Sequence, residues 1–198
     1  MNTEEQSLSY PVDEVQDMLK TSSKGYASNS IQNCLIVLRH DSMFQNAIKH
    51  NSLTGRTDIV KELGWKRDST TLTDTDMKYI QLYFEQNYHL TSEKKIASAI
   101  AIIANENQYH PIRDYLNSLT WDGTERVRYA LQRYLGADAA DFTYDCLRVF
   151  MLGAVNRVFN PGCKFETMLC LVGGQGAGKS TFFRLLAVKD EWFSDDLK

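Results

Sequence analysis

Apolar residues recur at helical spacing over most of the chain. Ile31, Cys34, Leu35 and Leu38 form an i, i+3, i+4, i+7 stripe behind Asn29 or Ser30, either of which suits an N-cap. His40-Asp41-Ser42 breaks that helix, and Phe44, Ala47 and Ile48 suggest a further short helical turn. Thr73-Asp74-Thr75-Asp76 opens the next helix with a cap and acids in the first turn. Met77, Ile80, Phe84 and Tyr88 line one of its faces, with Tyr79 and Tyr83 beside them. Thr91 or Ser92 caps a helix in which Ile96, Ile100 and Ile103 recur among small residues. Lys94 and Lys95 at its start oppose the helix dipole. Pro111 suits a first helical position, ahead of Ile112, Tyr115, Leu116 and Leu119. Thr120-Trp121-Asp122-Gly123 reads as a turn with an aromatic anchor. Residues 125–134 return to helix until Gly136, and residues 139–159 make the longest one, ended by Asn160-Pro161-Gly162.

Three stretches depart from this period. Residues 1–28 are polar and acidic; Pro11 can start a short helix carrying Val12, Val15, Met18 and Leu19, expected to be loosely docked at most. From Asn51 to Trp65 the pattern is mixed, so that Leu53, Ile59 and Val60 fit strands or a loop. Glu166–Val172 is a short apolar run, as a buried parallel strand should be. Residues 181–186 then resume a helix, with Phe182, Leu185 and Leu186 expected on one face.

Composition adds bounds. With 198 residues, 43% hydrophobic and 24% charged, the chain is of ordinary globular type, with room for one domain or one and a fragment. The net charge of -3 comes from the lead, where Glu4, Glu5, Asp13, Glu14 and Asp17 face Lys20 and Lys24. The remainder is balanced, so there is no overall basic footprint for nucleic acid. Met1-Asn2-Thr3-Glu4-Glu5 is unlike a secretory signal, and no apolar stretch reaches the ~20 residues of a membrane span. Cys34, Cys146, Cys163 and Cys170 lack zinc-site spacing; Cys34 and Cys170 sit in apolar runs and are expected to be buried thiols. A cytoplasmic, reducing setting fits.

The strongest chemical signal joins the expected strand to the helix after it. Gly173-Gly174-Gln175-Gly176-Ala177-Gly178-Lys179-Ser180, followed by Thr181, fits G-x-x-x-x-G-K-[ST]. Glycines let successive N–H groups converge without a Cβ in the way, and those amides with a helix N-terminus cradle anionic oxygens. In such a loop Lys179 reaches the β- and γ-phosphates of ATP, and the Ser180 hydroxyl ligates Mg²⁺. Hydrolysis also needs an acidic strand and an arginine. Asp190, Glu191, Asp195 and Asp196 follow the loop, none on an apolar strand, so no catalytic residue is assigned. His89 and His110 are isolated and read as packing or surface residues. Arg113, Arg126, Arg128, Arg133, Arg148 and Arg157 beside Tyr109, Tyr115 and Trp121 fit either a single-strand groove or solvated helices with interleaved acids.

Several stretches together resemble the virulence-associated protein E (VapE-like) family of phages and chromosomal islands. They are Tyr109-His110-Pro111-Ile112-Arg113-Asp114-Tyr115-Leu116, Leu119-Thr120-Trp121-Asp122-Gly123, Gly153-Ala154-Val155 with Arg157, Asn160-Pro161-Gly162-Cys163-Lys164, the glycine loop, and Glu191-Trp192-Phe193-Ser194-Asp195. The resemblance implies a replication ATPase similar to superfamily-three hexameric helicases, binding ATP and Mg²⁺, acting on DNA, and partnered by a primase, a full-length copy or further copies of itself. The fold expected is a mostly α-helical N-terminal region followed by the first strand and helix of a P-loop α/β ATPase domain. Its divisions are an acidic lead over 1–28, a helical domain over 29–118 and the start of a VapE-like domain over 119–198. The family's acidic strand, sensor and arginine finger have no counterpart in the 198 residues, so a truncated, nucleotide-binding helicase relative without competent turnover of its own is expected. The alternative is a non-enzymatic module for DNA or a protein partner, with a vestigial loop.

Overall fold

The computed structural model describes residues 9–23 and 25–196. Glu4, Glu5 and Lys24 of the acidic lead lie outside the described residues. Two compact units divide the chain between Asp114 and Tyr115.

The first unit is α/β in composition. It holds α1 (Val12–Asp17), α2 (Ile31–His40), β1 (Ile48–Asn51), β2 (Arg56–Ile59), α3 (Asp74–Tyr88), α4 (Glu93–Glu106) and β3 (Gln108–Tyr109). α5 (Pro111–Ser118) follows at the boundary. The strands form a mixed sheet of order β2-β1-β3: β1 is antiparallel to β2, Ile48 opposite Ile59, and parallel to β3, His50 opposite Gln108. The expected helical turn at Ile48 is therefore corrected to the first residue of a central strand. Asn46 just before it, at φ 58°, turns the chain out of the preceding turns, and Ile48 enters the core.

That core follows the apolar stripes. Cys34, Val37 and Leu38 of α2, Ile80, Phe84 and Tyr88 of α3, and Ile96, Ala99, Ile100 and Ile103 of α4 are buried together with Phe44, Ile48 and Ile59. Burial pushes the Cys34 thiol up to about 11, against a smaller opposing pull from Lys95. The expected loose attachment of the Pro11 helix is not what is seen at its apolar side, since Val15 and Leu19 are part of this core.

Buried polar groups pin the loops. Asn33 donates from Nδ2 to the carbonyls of Lys20 (2.9 Å) and Ser28 (2.7 Å) and accepts from the Lys20 amide. Asp41, fully buried at the end of α2, accepts from the Met43 amide (2.7 Å), Tyr83 (2.9 Å) and Tyr88 (2.5 Å). Both tyrosines are held protonated well above the usual phenol range, by burial first and then by the Asp41 carboxylate. Lys95, which opposes the dipole of α4, is absorbed by donating to the Asn29 carbonyl.

The second unit holds α6 (Arg126–Leu135), α7 (Asp141–Phe159), α8 (Lys179–Leu186) and a 3-10 turn at Asp190–Trp192. Its core is Leu131, Leu147 and Phe182, flanked by Val127, Phe150, Met151, Leu169, Leu171 and Leu186. The strand expected over 166–172 is corrected: residues 163–174 belong to no helix or ladder. Leu169 and Leu171 turn toward the core, whereas Met168, Cys170 and Val172 point to solvent, Val172 at 98% exposure. The apolar run thus has the alternation of a strand without a hydrogen-bonded neighbour among the described residues, and a strand exists only by pairing. Cys170 is accordingly exposed rather than buried. Leu185 is likewise corrected to the open side of α8, 75% exposed, while Phe182 is buried. No helix of the described residues is long and apolar enough to cross a membrane.

Candidate functional site

The glycine loop leads directly into α8. Gly176 and Gly178 both sit at φ 79°, left-handed conformations that an L side chain adopts only with strain, and Gly178 is the N-cap of the helix. A Cβ added at Gly173 or Gly174 would meet nothing within 4 Å, so the loop faces open space. The Phe182 amide closes the first turn on the Gly178 carbonyl at 2.8 Å. Gly176, Ala177, Ser180 and Thr181 are exposed, leaving the orphan amides of the helix start accessible.

Lys179 folds back across this loop. Its Nζ donates to the carbonyls of Gly173 (2.8 Å) and Gly174 (2.7 Å), so the ammonium stands at the loop mouth, fixed by contacts a stronger anionic acceptor would outcompete. Gln175 lies on the same exposed turn. Ser180 is exposed and makes no side-chain hydrogen bond among the described residues, which leaves its hydroxyl able to ligate a cation. Among the described residues no group of three or more His, Cys, Asp or Glu side chains is arranged for a metal. A Mg²⁺ site here would therefore consist of Ser180, nucleotide oxygens and water, a donor set that suits a cation which keeps much of its hydration.

The helix carrying the loop is anchored from behind. Phe182 is buried against Leu131 and Leu147, and Phe183 makes edge contacts with Phe150 and Phe182 at centroid distances of 5.7 and 6.0 Å. Beyond the helix, Arg184 grips Asp190 through two bonds of 2.7 and 2.8 Å, which hold that carboxylate below its usual range, and Lys189 lies 3.7 Å from Glu191. The carboxylates nearest after the loop in sequence are thus paired with neighbouring cations.

Four of the arginines are engaged by nearby groups. Arg126 is bidentate to Asp122, Arg128 meets Asp141 at 2.9 Å, Arg148 lies 3.8 Å from Asp145, and Arg157 donates to the Phe165 carbonyl. Trp121, expected to anchor its turn, is 76% exposed; the turn is held by Asp122, which accepts from Thr124 N and Arg126, and by Gly123 at φ 82°. His110 caps α5, its Nδ1 accepting from the Arg113 amide, in keeping with a structural role.

One element of the site has no motif. Leu135, at the end of α6, places its Cδ2 within 3.8 Å of where a Cβ on Gly178 would be. α6 therefore borders the loop, a neighbourhood created by packing and visible beforehand only as a helix expected over residues 125–134.

The family model of the virulence-associated protein E-like domain matches residues 116–198. Over this segment the chain is similar to that family. The match takes in the Asp122 turn, α6, α7 and the loop with α8, nearly the whole of the second unit. No curated protein matches the chain.

Proposed function

We propose that the VapE-like domain binds the phosphates of a nucleoside triphosphate, ATP by family resemblance, together with Mg²⁺. Gly173, Gly174, Gln175, Gly176, Ala177 and Gly178 form the cradle, and Lys179, Ser180 and Thr181 supply the side chains and amides at its rim. The observation that carries this reading is the Lys179 ammonium, held over the Gly173 and Gly174 carbonyls at the start of α8. On binding, Lys179 exchanges those two carbonyls for β- and γ-phosphate oxygens, and the amides of the first turn of α8 donate to the phosphates. Ser180 would hold the metal, which when bound neutralises charge between β- and γ-oxygens. The reading is confined to binding: Asp190 and Glu191 are paired with Arg184 and Lys189, and neither is assigned a catalytic role. DNA, with a primase or further copies of this chain, completes the reading as partners in mobile-element replication.

Titration calorimetry with Mg-ATP tests it. Wild type is expected to bind, and Lys179→Ala to weaken binding by at least about tenfold, since charge-assisted contacts to phosphate are among the strongest hydrogen bonds. Equal binding by both proteins would exclude this loop.

A further inference from the structure

The second unit contains a cleft of about 850 Å³ between α6 and α8, floored by Leu147 and Met151 of α7. Of its lining residues Gly178 belongs to the loop motif and Thr181 directly follows it, so the cleft adjoins the glycine loop. Along α6 the lining positions 126, 129, 130, 133 and 134 are one helical face; along α8 the positions 178, 181, 182, 185 and 186 are the facing one. The size lies within the range of small-ligand sites, which are typically apolar with a few placed polar groups. The rim supplies an exposed aromatic and a cation together, since Arg133 lies 5.9 Å from the centroid of the Tyr134 ring. Arg126, by contrast, is already tied to Asp122.

We infer that this cleft is the nucleoside subsite: the base of a nucleoside triphosphate lodges between α6 and α8, with Tyr134 and Leu185 covering its faces, while the phosphates lie in the glycine loop. The inference rests on the phosphate-binding reading of that loop and adds residues that the loop motif does not contain. The chemistry follows from position. With β- and γ-oxygens on Lys179, the sugar and base must continue beyond the loop, and Thr181 is the residue that follows it. The apolar surface adjoining Thr181 is this cleft, and a planar heteroaromatic ring is the ligand that gains most from an aromatic and a leucine wall. Tyr134 and Leu185 are 67% and 75% exposed, which makes them available to a ligand and dispensable to the core.

The test compares two probes on the full chain by calorimetry, Mg-ATP and Mg-tripolyphosphate, the second carrying the phosphates without the nucleoside. Tyr134→Ala and Leu185→Ala are expected to weaken ATP about tenfold, as loss of base stacking does, and to leave tripolyphosphate unchanged. Lys179→Ala is expected to weaken both. If Lys179→Ala weakens ATP while the two cleft variants do not, the nucleoside lies elsewhere; the inference fails and the loop reading stands. If wild type binds neither probe, or Lys179→Ala alters neither, the loop reading fails and the cleft inference with it. Unchanged far-UV circular dichroism of Tyr134→Ala and Leu185→Ala confirms that any loss is local, and a folding defect shared by both would also appear as weaker tripolyphosphate binding.

Discussion

Gly153 is buried within α7, where a Cβ would lie 2.2 Å from Cζ of Phe165 and 2.4 Å from both flanking ring carbons. The ring can occupy that place only because the helix has no side chain there. Phe165 is further held by Arg157, which lies over its ring at 5.6 Å and donates to its carbonyl at 2.8 Å. Two effects compete in Gly153→Ala. Alanine improves helix propensity by about 1 kcal/mol. Displacing the ring forfeits much of the ~1.5–3 kcal/mol that burying a phenylalanine contributes. Displacement should win, giving a net loss of about 1 kcal/mol in urea unfolding. In a Phe165→Ala background nothing is left to displace, and the same substitution should become stabilising. A destabilisation of equal size in both backgrounds would show that Phe165 is not what requires the glycine.

At the scale of elements, the start of α3 joins a local signal to a distant one. Thr73 and Asp76 form the capping box that the sequence pattern announces. The sequence does not announce that Asp76 also accepts from Trp65 Nε1 and Arg67 Nε, each at 2.8 Å, while Arg67 reaches on to the carbonyls of Ile59 and Thr70. Asp76 thereby fastens α3 to the segment after β2. Burial alone would raise its pKa, but bonds from Arg67, Trp65 and Thr73 override that and hold the carboxyl well below the usual range. A lowered folded pKa has a definite sign. The stabilisation is complete above the unfolded value of about 4 and is lost as pH falls below it toward the folded value. Thermal melts between pH 2 and 6 should therefore show wild type losing more stability on acidification than Asp76→Asn, which starts lower at neutral pH. Parallel pH profiles would mean that another group carries the acid sensitivity. The contrast between Thr73 and Arg67 also explains what could be read from sequence. Caps, stripes and the glycine loop depend on residues within a few positions of one another. β1 carries Lys49, His50 and Asn51, shows no alternation, and exists through pairing with β2 and a two-residue β3 far along the chain. The run at 166–172 has the composition of a strand but no ladder, because composition does not supply a neighbour. In the candidate site the motif was legible for the same local reason, and the α6 wall was not, because only packing brings Leu135 to Gly178.

Across the whole molecule, stability should be uneven, and the burial pattern says where. In the first unit α2, α3, α4 and the sheet close on a continuous core, and buried carboxylates at 41 and 76 are satisfied by several donors each. In the second unit the buried apolar side chains narrow to Leu131, Leu147 and Phe182, while Phe142, Leu152, Met168, Val172 and Leu185 expose apolar surface. Fully burying one such side chain contributes ~1.5–3 kcal/mol, and the net stability of a domain is only about 5–15 kcal/mol, so a few uncovered residues decide how firmly a unit holds. The backbone adds to the difference. Amides in α4 and β1 are bonded within helix or ladder, whereas those of residues 164–174 make no backbone bond among the described residues. Native-state hydrogen exchange should thus be slow at Ile96–Ala104 and Ile48–Asn51 and fast from Leu169 to Gly178, with α8 between them. Saturating Mg-ATP should slow exchange in the first turn of α8, where the amides proposed to receive phosphate lie, and leave α4 unchanged. Slow exchange at Leu169–Val172 in the absence of nucleotide would contradict the unpaired backbone there and require a paired strand. Its dependence on protein concentration would then identify a second copy of the chain as the source.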